Sequence, residues 1–236
     1  MVNNMAKKTL WNYQIPDTQK KKQDIPKHLE VDVLIIGGGI AGISTLFELR
    51  NEKKNILLID SGQIGMGVTS HTTGKLTYLQ ELIYHKLEKI FSFDTSYLYL
   101  ESQREAIKRV KSNVRKYNID CNFEENAGIT FTNLESEITK FEKEQQFFDK
   151  VHLDYEVIRE LPKDIPCCYG IKVPDTAVFN PVKYIYHLKD ECLKKDKQII
   201  EYLQATRLTK IGDLYEITTN KNTILAKTVI VCTRDC

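Results

Sequence analysis

The sequence lacks a long hydrophobic run. None of its apolar stretches approaches the roughly 18 residues that a membrane-spanning helix requires. The nearest candidate, Val31–Leu49, contains Asp32, Glu48 and a glycine triplet. Met1–Leu10 is polar and contains no apolar segment, so no secretory leader is expected. We therefore predict a protein that has no membrane partner.

An excess of charge of one sign is also missing. The 236 residues include 34 Lys and Arg against 32 Asp and Glu, which gives a formal net charge of +2. Such a balance produces no basic surface field, so the composition does not indicate a nucleic-acid partner. The hydrophobic fraction of 42% and the charged fraction of 28% are those of an ordinary globular protein.

The six cysteines form no recognisable metal-binding pattern. There is no CxxC pair and no His–Cys cluster with zinc spacing, so no metal site is expected. We interpret the adjacent Cys167 and Cys168 as two reduced thiols rather than as a strained vicinal disulfide. This cysteine usage favours a reducing, cytoplasmic location.

After a polar arm at residues 1–30, the pattern changes to that of a βαβ unit. Val31–Ile36 is a short run rich in β-branched residues, typical of a buried parallel strand. Three glycines follow, then a helical pattern over Ile40–Arg50 and a second apolar strand over Asn55–Asp60. Strand, glycine turn, helix and strand within roughly 30 residues predict a right-handed βαβ unit.

The rest of the chain predicts a mixture of helices and strands. The arm is expected to lie on the surface, although its three lysines leave open a basic interaction tail. The patterns predict helices over 81–91, 94–117 (capped by Asp94), about 134–148 and 181–195, strands around a turn within 119–132, an irregular stretch over 155–178, and strands over 199–203, 207–211, 214–218 and 228–232.

The glycine turn is the motif that carries chemistry. Gly37, Gly39 and Gly42 fit G-x-G-x-x-G between a strand and a helix, and Asp60 ends the second strand 18 residues after Gly42. The glycines permit a tight turn, close approach of a pyrophosphate and close helix–strand packing, while the helix N-terminus attracts the anion. Asp60 suits an adenosine ribose and disfavours a 2′-phosphate. A glycine turn in an unrelated α/β protein is the alternative.

The loop after Asp60 favours FAD over NAD. Ser61–Thr77 is rich in hydroxyl groups and glycine, which suits a buried pyrophosphate and ribityl chain. An NAD-type unit would continue to its next α/β element with less elaboration. An NAD-dependent dehydrogenase stays open as an alternative, and NAD(H) binding without flavin colour would favour it.

Two sequence segments carry a family resemblance. The run VDVLIIGGGIAGISTLFELR and the later run ILLIDSGQIGMGVTSHTTGKLT resemble the amino-terminal half of the D-amino-acid oxidase-like, FAD-dependent oxidoreductases. With LIYHKLEKIF and FNPVKYIYHL, the segment HTTGKLT is most similar to bacterial members that carry a carboxy-terminal Rieske iron–sulfur domain.

This resemblance implies a fold, a cofactor and a set of contacts. The implied fold is α/β, a Rossmann-type FAD-binding domain at 31–118 and 177–236 with an inserted α+β substrate or cap region at 119–176. The implied cofactor is FAD. Its implied contacts are Gly37, Gly39, Ile40, Ala41, Gly42, Asp60, Ser61, Gly67, Thr69, His71, Thr72, Thr73, Gly74, Lys75, Leu76, Leu208, Cys232 and Thr233.

His71 leaves two interpretations open. Related dehydrogenases attach flavin covalently through a histidine in a His-x-x-Gly-Leu context, but here Lys75 separates Gly74 from Leu76. His71 is therefore either a covalent flavin ligand or an ordinary loop histidine near the cofactor.

The resemblance also implies an activity and a missing part. The expected function is oxidation of an amine or amino-acid-like substrate by hydride transfer to the flavin, and no catalytic residue is assigned. Further segments of the family, including the C-x-H and C-x-x-H pairs of a Rieske site, are absent, so we expect an amino-terminal part that is truncated at the C-terminus. The alternative is a non-catalytic FAD- or nucleotide-binding fragment that needs a second polypeptide. Six arginines are equal candidates for binding a substrate carboxylate: Arg104, Arg109, Arg115, Arg159, Arg207 and Arg234.

Overall fold

A computed structural model describes residues 9–11 and 25–233. Most of the polar arm, with its lysine run, and Cys236 lie outside the described residues. The described chain divides into two compact units. The first combines residues up to Thr73 with those from Asn180 onward, and the second is Gly74–Phe179. No helix among the described residues is both long and apolar enough to cross a membrane.

The first unit contains a six-stranded sheet in the order β7-β2-β1-β10-β9-β8. Strands β7, β2, β1 and β10 run parallel, while β10, β9 and β8 form an antiparallel meander. The mixed α/β architecture with a parallel sheet is therefore confirmed. The strand bounds are β1 His28–Ile36, β2 Ile56–Ile59, β7 Gln198–Ile200, β8 Ala205–Ile211, β9 Leu214–Thr219 and β10 Thr223–Val231.

The centre of this sheet is apolar on both faces. Leu34, Ile35, Leu57 and Leu58 are each 0% exposed, which is what a parallel strand covered on both sides requires. Helix α1 (Ile40–Glu48) follows the glycine turn directly, so the predicted βαβ unit is confirmed.

Helix α5 (Pro181–Leu193) packs against α1 in the first unit. Asn180 caps it, because its side-chain oxygen accepts hydrogen bonds from Val182 N at 3.1 Å and Lys183 N at 3.0 Å. Pro181 occupies the first turn, where a missing N–H costs nothing. The predicted start of this helix is confirmed.

The second unit packs three helices against a four-stranded antiparallel sheet. The sheet order is β3-β6-β4, and β5 also pairs with β6. A largely aromatic core joins the helices to the sheet, with Tyr84, Phe147 and Phe148 fully buried. The bounds are β3 Lys75–Leu76, α2 Tyr84–Ile90, α3 Phe93–Lys116, β4 Glu124–Thr132, α4 Ile138–Lys150, β5 Glu156–Ile158 and β6 Tyr169–Val178.

The compact units differ from the expected boundary at residue 118. Helices α2 and α3 share one buried core with α4 and β6, so residues 74–118 belong to the compact unit that contains 119–176. The sequence places these helices directly after the cofactor loop, and only the shared core reveals the unit to which they belong.

Two expectations for the second sheet were wrong. Residues 124–132 form one continuous strand, and Asn126–Gly128 is a bulge in it rather than a turn. Residues 169–178, expected to be irregular, form the central strand β6. Pro174 is tolerated there because it lies opposite the bulge, where neither neighbouring strand pairs with it.

Three element ends also differ from expectation. Helix α3 is capped by Ser92, whose hydroxyl accepts from Thr95 N at 3.1 Å, and not by Asp94. Strands β1 and β10 begin at His28 and Thr223, several residues earlier than their apolar patterns indicate, because the two strands pair in parallel from those residues onward. Backbone pairing extends a strand beyond its apolar part.

A buried carboxylate organises the start of α2. Glu144 on α4 is 0% exposed. Its Oε1 accepts from Tyr84 N at 2.9 Å, and its Oε2 accepts from His85 N at 2.9 Å and lies 2.6 Å from His85 Nδ1. The carboxylate therefore satisfies backbone N–H groups at a helix N-terminus, where negative charge is favoured.

We predict that Glu144→Gln lowers the free energy of unfolding by about 1–3 kcal/mol, because one backbone N–H then faces an amide donor and is left unsatisfied in the core. Urea denaturation measures the change. The matched control is Glu142→Gln, on the exposed face of the same helix, which should change stability by less than about 0.5 kcal/mol. Equal effects from the two variants would contradict the capping role.

Candidate functional site

Two positions at the turn between β1 and α1, Gly37 and Gly42, leave no room for a side chain. Gly37 has φ +112°, and a Cβ there would lie 2.7 Å from the carbonyl oxygen of Cys232. A Cβ on Gly42 would lie 1.8 Å from the carbonyl oxygen of Gly37. Glycine is therefore required at Gly37 by backbone conformation and at Gly42 by the close contact of helix and turn.

Gly38, to which sequence reasoning assigned no role, is also closely surrounded, although a Cβ there would meet a side chain that can move rather than backbone. Its N–H donates to Asp60 Oδ2 at 2.5 Å, and a Cβ on it would lie 2.1 Å from Ile64 Cδ1. Its carbonyl accepts from Gly65 N at 3.0 Å. The unbroken glycine triplet was the available signal, because the fingerprint itself requires only the first and third of these glycines.

Asp60 lies at the end of β2 and binds the turn. Besides the bond from Gly38, its Oδ1 accepts from Gly62 N at 2.7 Å. A carboxylate offers about four lone-pair sites, so both oxygens retain capacity to accept a hydroxyl donor such as that of a ribose. Asp60 is half-buried, which leaves that capacity accessible.

The N-terminus of α1 presents free backbone donors. Ile40 N donates to the Thr69 hydroxyl at 3.0 Å. Within the described part of the chain, the N–H groups of Ala41 and Gly42 have no hydrogen-bond partner. Both belong to the first helical turn, where the helix dipole adds partial positive charge.

These features fit the pyrophosphate of a dinucleotide. Gly39 presents no Cβ to an approaching phosphate, and no acidic side chain lies in the first turn of α1. Ile40 is 36% exposed, so the helix end is accessible to a ligand. The turn thus combines free donors, open backbone and favourable charge at one place.

The loop that follows Asp60 is held by its own backbone. Val68–His71 forms a short 3₁₀ helix, and the Ser70 hydroxyl donates to Gly67 O at 3.0 Å. His71 is exposed, and its Nδ1 lies 2.8 Å from Gly67 O and 3.0 Å from the Ser70 hydroxyl. The sequence did not indicate this anchoring of the histidine ring.

Two further hydrogen bonds connect this loop to other parts of the first unit. Trp11 Nε1 donates to Thr72 O at 2.7 Å. Gln63 Nε2 donates to the Tyr186 hydroxyl on α5 at 3.0 Å. Burial raises the pKa of that hydroxyl to about 12, so it stays neutral at physiological pH.

The structure brings most of the predicted residues of the first unit together. Cys232 N donates to Ile36 O at 2.7 Å, and the backbone of Cys232 and Thr233 lies against Gly37. Ser61 directly follows Asp60, and Gly67, Thr69, His71, Thr72 and Thr73 lie on the anchored loop.

Four predicted residues belong to other structural elements. Gly74, Lys75 and Leu76 belong to the second unit, where Gly74 O accepts from Phe179 N and the next two residues form β3. Leu208 is 46% exposed on the edge strand β8, two strands away from β10.

Ile200–Leu203 is the segment whose backbone bonds to Asp60. Asp60 N donates to Ile200 O at 3.1 Å, and Leu203 N donates to Asp60 O at 2.8 Å. Glu201 in this segment accepts from Ile64 N at 2.9 Å and is largely buried. A glutamate after a short strand reads as a surface residue, so the sequence carried no signal for it.

Comparison with protein families supports the same cofactor. The family described as DAO, FAD dependent oxidoreductase, matches residues 32–233. A Bacillus subtilis protein described as a candidate Rieske 2Fe-2S iron–sulfur protein, YhfW, is 30% identical over 92% of this chain and 44% of its own length. A Haemophilus influenzae protein described as a probable oxidoreductase, OrdL, is 22% identical over 86% of this chain and 48% of its own length. The chain thus spans less than half of either relative.

Solved structures share the fold. Glycine oxidase from Geobacillus kaustophilus matches with a TM-score of 0.71 and 16% identity over 87% of this chain and 55% of that chain. L-amino acid deaminase from Proteus vulgaris matches with a TM-score of 0.70 and 16% identity over 92% of this chain and 50% of that chain. At this identity the likeness establishes the fold.

We predict that Gly42→Ala destabilises the first unit by at least about 2 kcal/mol, since the added methyl group overlaps the Gly37 carbonyl and α1 must move. Urea denaturation gives the value. Gly62→Ala is the control, because a Cβ there meets only Asp60 Oδ1 at an ordinary 3.7 Å, and it should change stability by less than about 0.5 kcal/mol. A Gly42→Ala protein as stable as the control would show that the turn can relax.

Proposed function

This chain belongs to the DAO family of FAD-dependent oxidoreductases, and on that premise we propose that its glycine turn binds FAD. We further propose that the chain is the cofactor-binding part of an enzyme that oxidises an amine or amino-acid-like substrate. The observation that carries the proposal is the meeting of the Gly37–Gly42 turn, the open α1 N-terminus and Asp60 in one place.

Each part of this site has a task in binding. The N–H groups of Ala41 and Gly42 donate to the pyrophosphate, and the α1 dipole stabilises its negative charge. Asp60 accepts hydrogen bonds from the adenosine ribose while it holds Gly38 in place. The Thr69 hydroxyl accepts the hydrogen bond of Ile40 N, and the N–H groups of Ala41 and Gly42 are the donors that remain for the ligand.

FAD, when bound, supplies a hydride acceptor at N5 of its flavin ring. Of the residues proposed to line the path toward that ring, Thr69, Thr72 and Thr73 lie on the anchored loop, whose freedom is limited by its 3₁₀ turn and by the hydrogen bond from Trp11. A pre-organised loop lowers the entropic cost of binding. The contacts predicted at Gly74, Lys75, Leu76 and Leu208 rest on the family resemblance and stay predictions.

The proposal also includes a class of substrate and a further part of the enzyme. The relatives of known structure include a glycine oxidase and an L-amino acid deaminase, which supports an amine or amino-acid-like substrate. Because the chain spans 44% of a relative described by its Rieske cluster, we propose that a carboxy-terminal half or a Rieske-type domain completes the enzyme. The alternative is a non-catalytic FAD-binding fragment that needs a second polypeptide.

A cytoplasmic location completes the proposal. All five described cysteines are free thiols, the state that a reducing compartment maintains.

We predict that FAD quenches the fluorescence of Trp11. This residue is the only tryptophan of the chain, and its indole N–H donates a hydrogen bond to Thr72 O in the proposed cofactor loop. Fluorescence titration with FAD should show saturable quenching with one site per chain. Riboflavin, which lacks the pyrophosphate, is the matched control and should bind at least about ten-fold more weakly. Equal affinity for the two would contradict pyrophosphate binding at the glycine turn.

The same sample distinguishes the two roles of His71. After denaturing electrophoresis, we expect no flavin fluorescence on the protein band, because Nδ1 of the His71 imidazole is within hydrogen-bond distance of the Gly67 carbonyl in its own loop. A fluorescent band would identify a covalent flavin, and its loss in His71→Ala would assign the attachment.

We expect the flavin bound to this chain, when its carboxy-terminal half is also present, to lose its visible absorption under anaerobic conditions on addition of an amine or an amino acid, since those substrates donate a hydride. Visible absorption measures the reduction, and dithionite gives its full extent. Bound flavin that dithionite bleaches but no amine or amino acid does would favour the non-catalytic alternative.

A further inference from the structure

The second unit contains a cavity of about 670 Å³. It lies between helix α3, strand β4 and strand β6. Its floor is apolar or buried: Tyr78 is 1% exposed, Ala177 4% and Ile107 7%. The volume lies within the range of about 300–1,000 Å³ typical of small-molecule sites. None of the predicted FAD contacts lines it.

The helical wall of the cavity is strongly basic. Arg104, Lys108, Lys111 and Arg115 follow one another at spacings of four, three and four residues, so they share one face of α3. Lys116 lines the same cavity. Like charges at these spacings repel one another, so this face of the helix costs stability unless negative charge lies opposite.

The chain itself neutralises only part of this charge. Glu125 on β4 pairs with Lys111 and Arg115, and Glu101 pairs with Arg104 at 2.9 Å. Asp175 is the other carboxylate that lines the cavity. Among the residues that the structure describes, neither Lys108 nor Lys116 has an ion-pair partner.

The cavity therefore combines an apolar floor with a wall on which two lysines, Lys108 and Lys116, have no ion-pair partner among the described residues, although the Lys116 ammonium lies over the Tyr117 ring at 5.3 Å. An apolar floor takes up a hydrophobic body, and exposed ammonium groups attract a carboxylate or phosphate. A neutral ligand would leave the repulsion between the cations unchanged, and a bare inorganic anion would leave the floor hydrated. Only a ligand with an apolar body and an anionic group can contact both the apolar floor and the lysines at the wall.

We propose that this cavity binds a small organic anion, with its apolar body against Tyr78, Ile107 and Ala177 and its anionic group against Lys108 and Lys116. Binding at this site requires no residue of the glycine turn. Failure of FAD binding and failure of this site are therefore separate results.

The probe for this site is 1-naphthyl phosphate, titrated into the full chain by isothermal calorimetry. We expect one site per chain, with binding that weakens as salt increases. The neutral 1-naphthol and inorganic phosphate, which each carry one half of the probe, should bind at least about ten-fold more weakly. Saturating FAD should leave the affinity unchanged. Absence of saturable binding, or equal binding of 1-naphthol, would overturn the proposal without testing the glycine turn.

A pair of charge-reversal variants locates the site. Lys108→Glu with Lys116→Glu should weaken 1-naphthyl phosphate at least about ten-fold. The matched control, Lys86→Glu with Lys89→Glu, changes the charge equally on the exposed face of α2, outside the cavity, and should stay within about two-fold of the wild-type affinity. Equal weakening in the two variants would place the probe elsewhere and overturn the proposal. If the first variant does not fold, the comparison of 1-naphthyl phosphate with 1-naphthol in the wild-type chain still decides.

Discussion

The candidate cofactor site depends on one close approach of backbone to backbone. The first turn of α1 lies so near the turn after β1 that a Cβ on Gly42 would overlap the Gly37 carbonyl, and Gly37 in turn lies against the end of β10. This approach places the N-terminus of a helix at the carboxyl ends of parallel strands. Free N–H groups, the helix dipole and open backbone then coincide, which is what an anionic dinucleotide requires.

The contacts around the turn are consequences of that approach. Because Gly38 has no side chain, Asp60 reaches its N–H and Ile64 packs against it. Because Thr69 takes up Ile40 N, the loop after Asp60 is tied to the same helix end. The charge that meets the ligand is therefore supplied by backbone dipoles, which explains how a chain with a net charge of +2 can present an anion site.

The second unit shows how local patterns mislead. The prolines at 162, 166 and 174 make residues 155–178 read as irregular, yet β6 is the central strand of the sheet. It tolerates Pro174 because the bulge at Asn126–Gly128 removes the pairing at that point. The bulge in β4 lies opposite the proline in β6, so each irregularity accommodates the other. The residue pattern of a single strand does not show which residues it will face in the neighbouring strand. The basic face of α3 is visible in the sequence, but the cavity below it is not.

The sequence by itself determined the βαβ unit, the glycines of the turn, Asp60 and the start of α5, because each depends on short-range backbone geometry and on local apolar periodicity. Tertiary structure alone decided that α2 and α3 share their core with α4 and β6, that Ile200 and Leu203 bond to the backbone of Asp60, and that Glu144 caps α2. These features join residues far apart in the chain, and their energies come from burial and hydrogen bonds that exist only after the elements have packed.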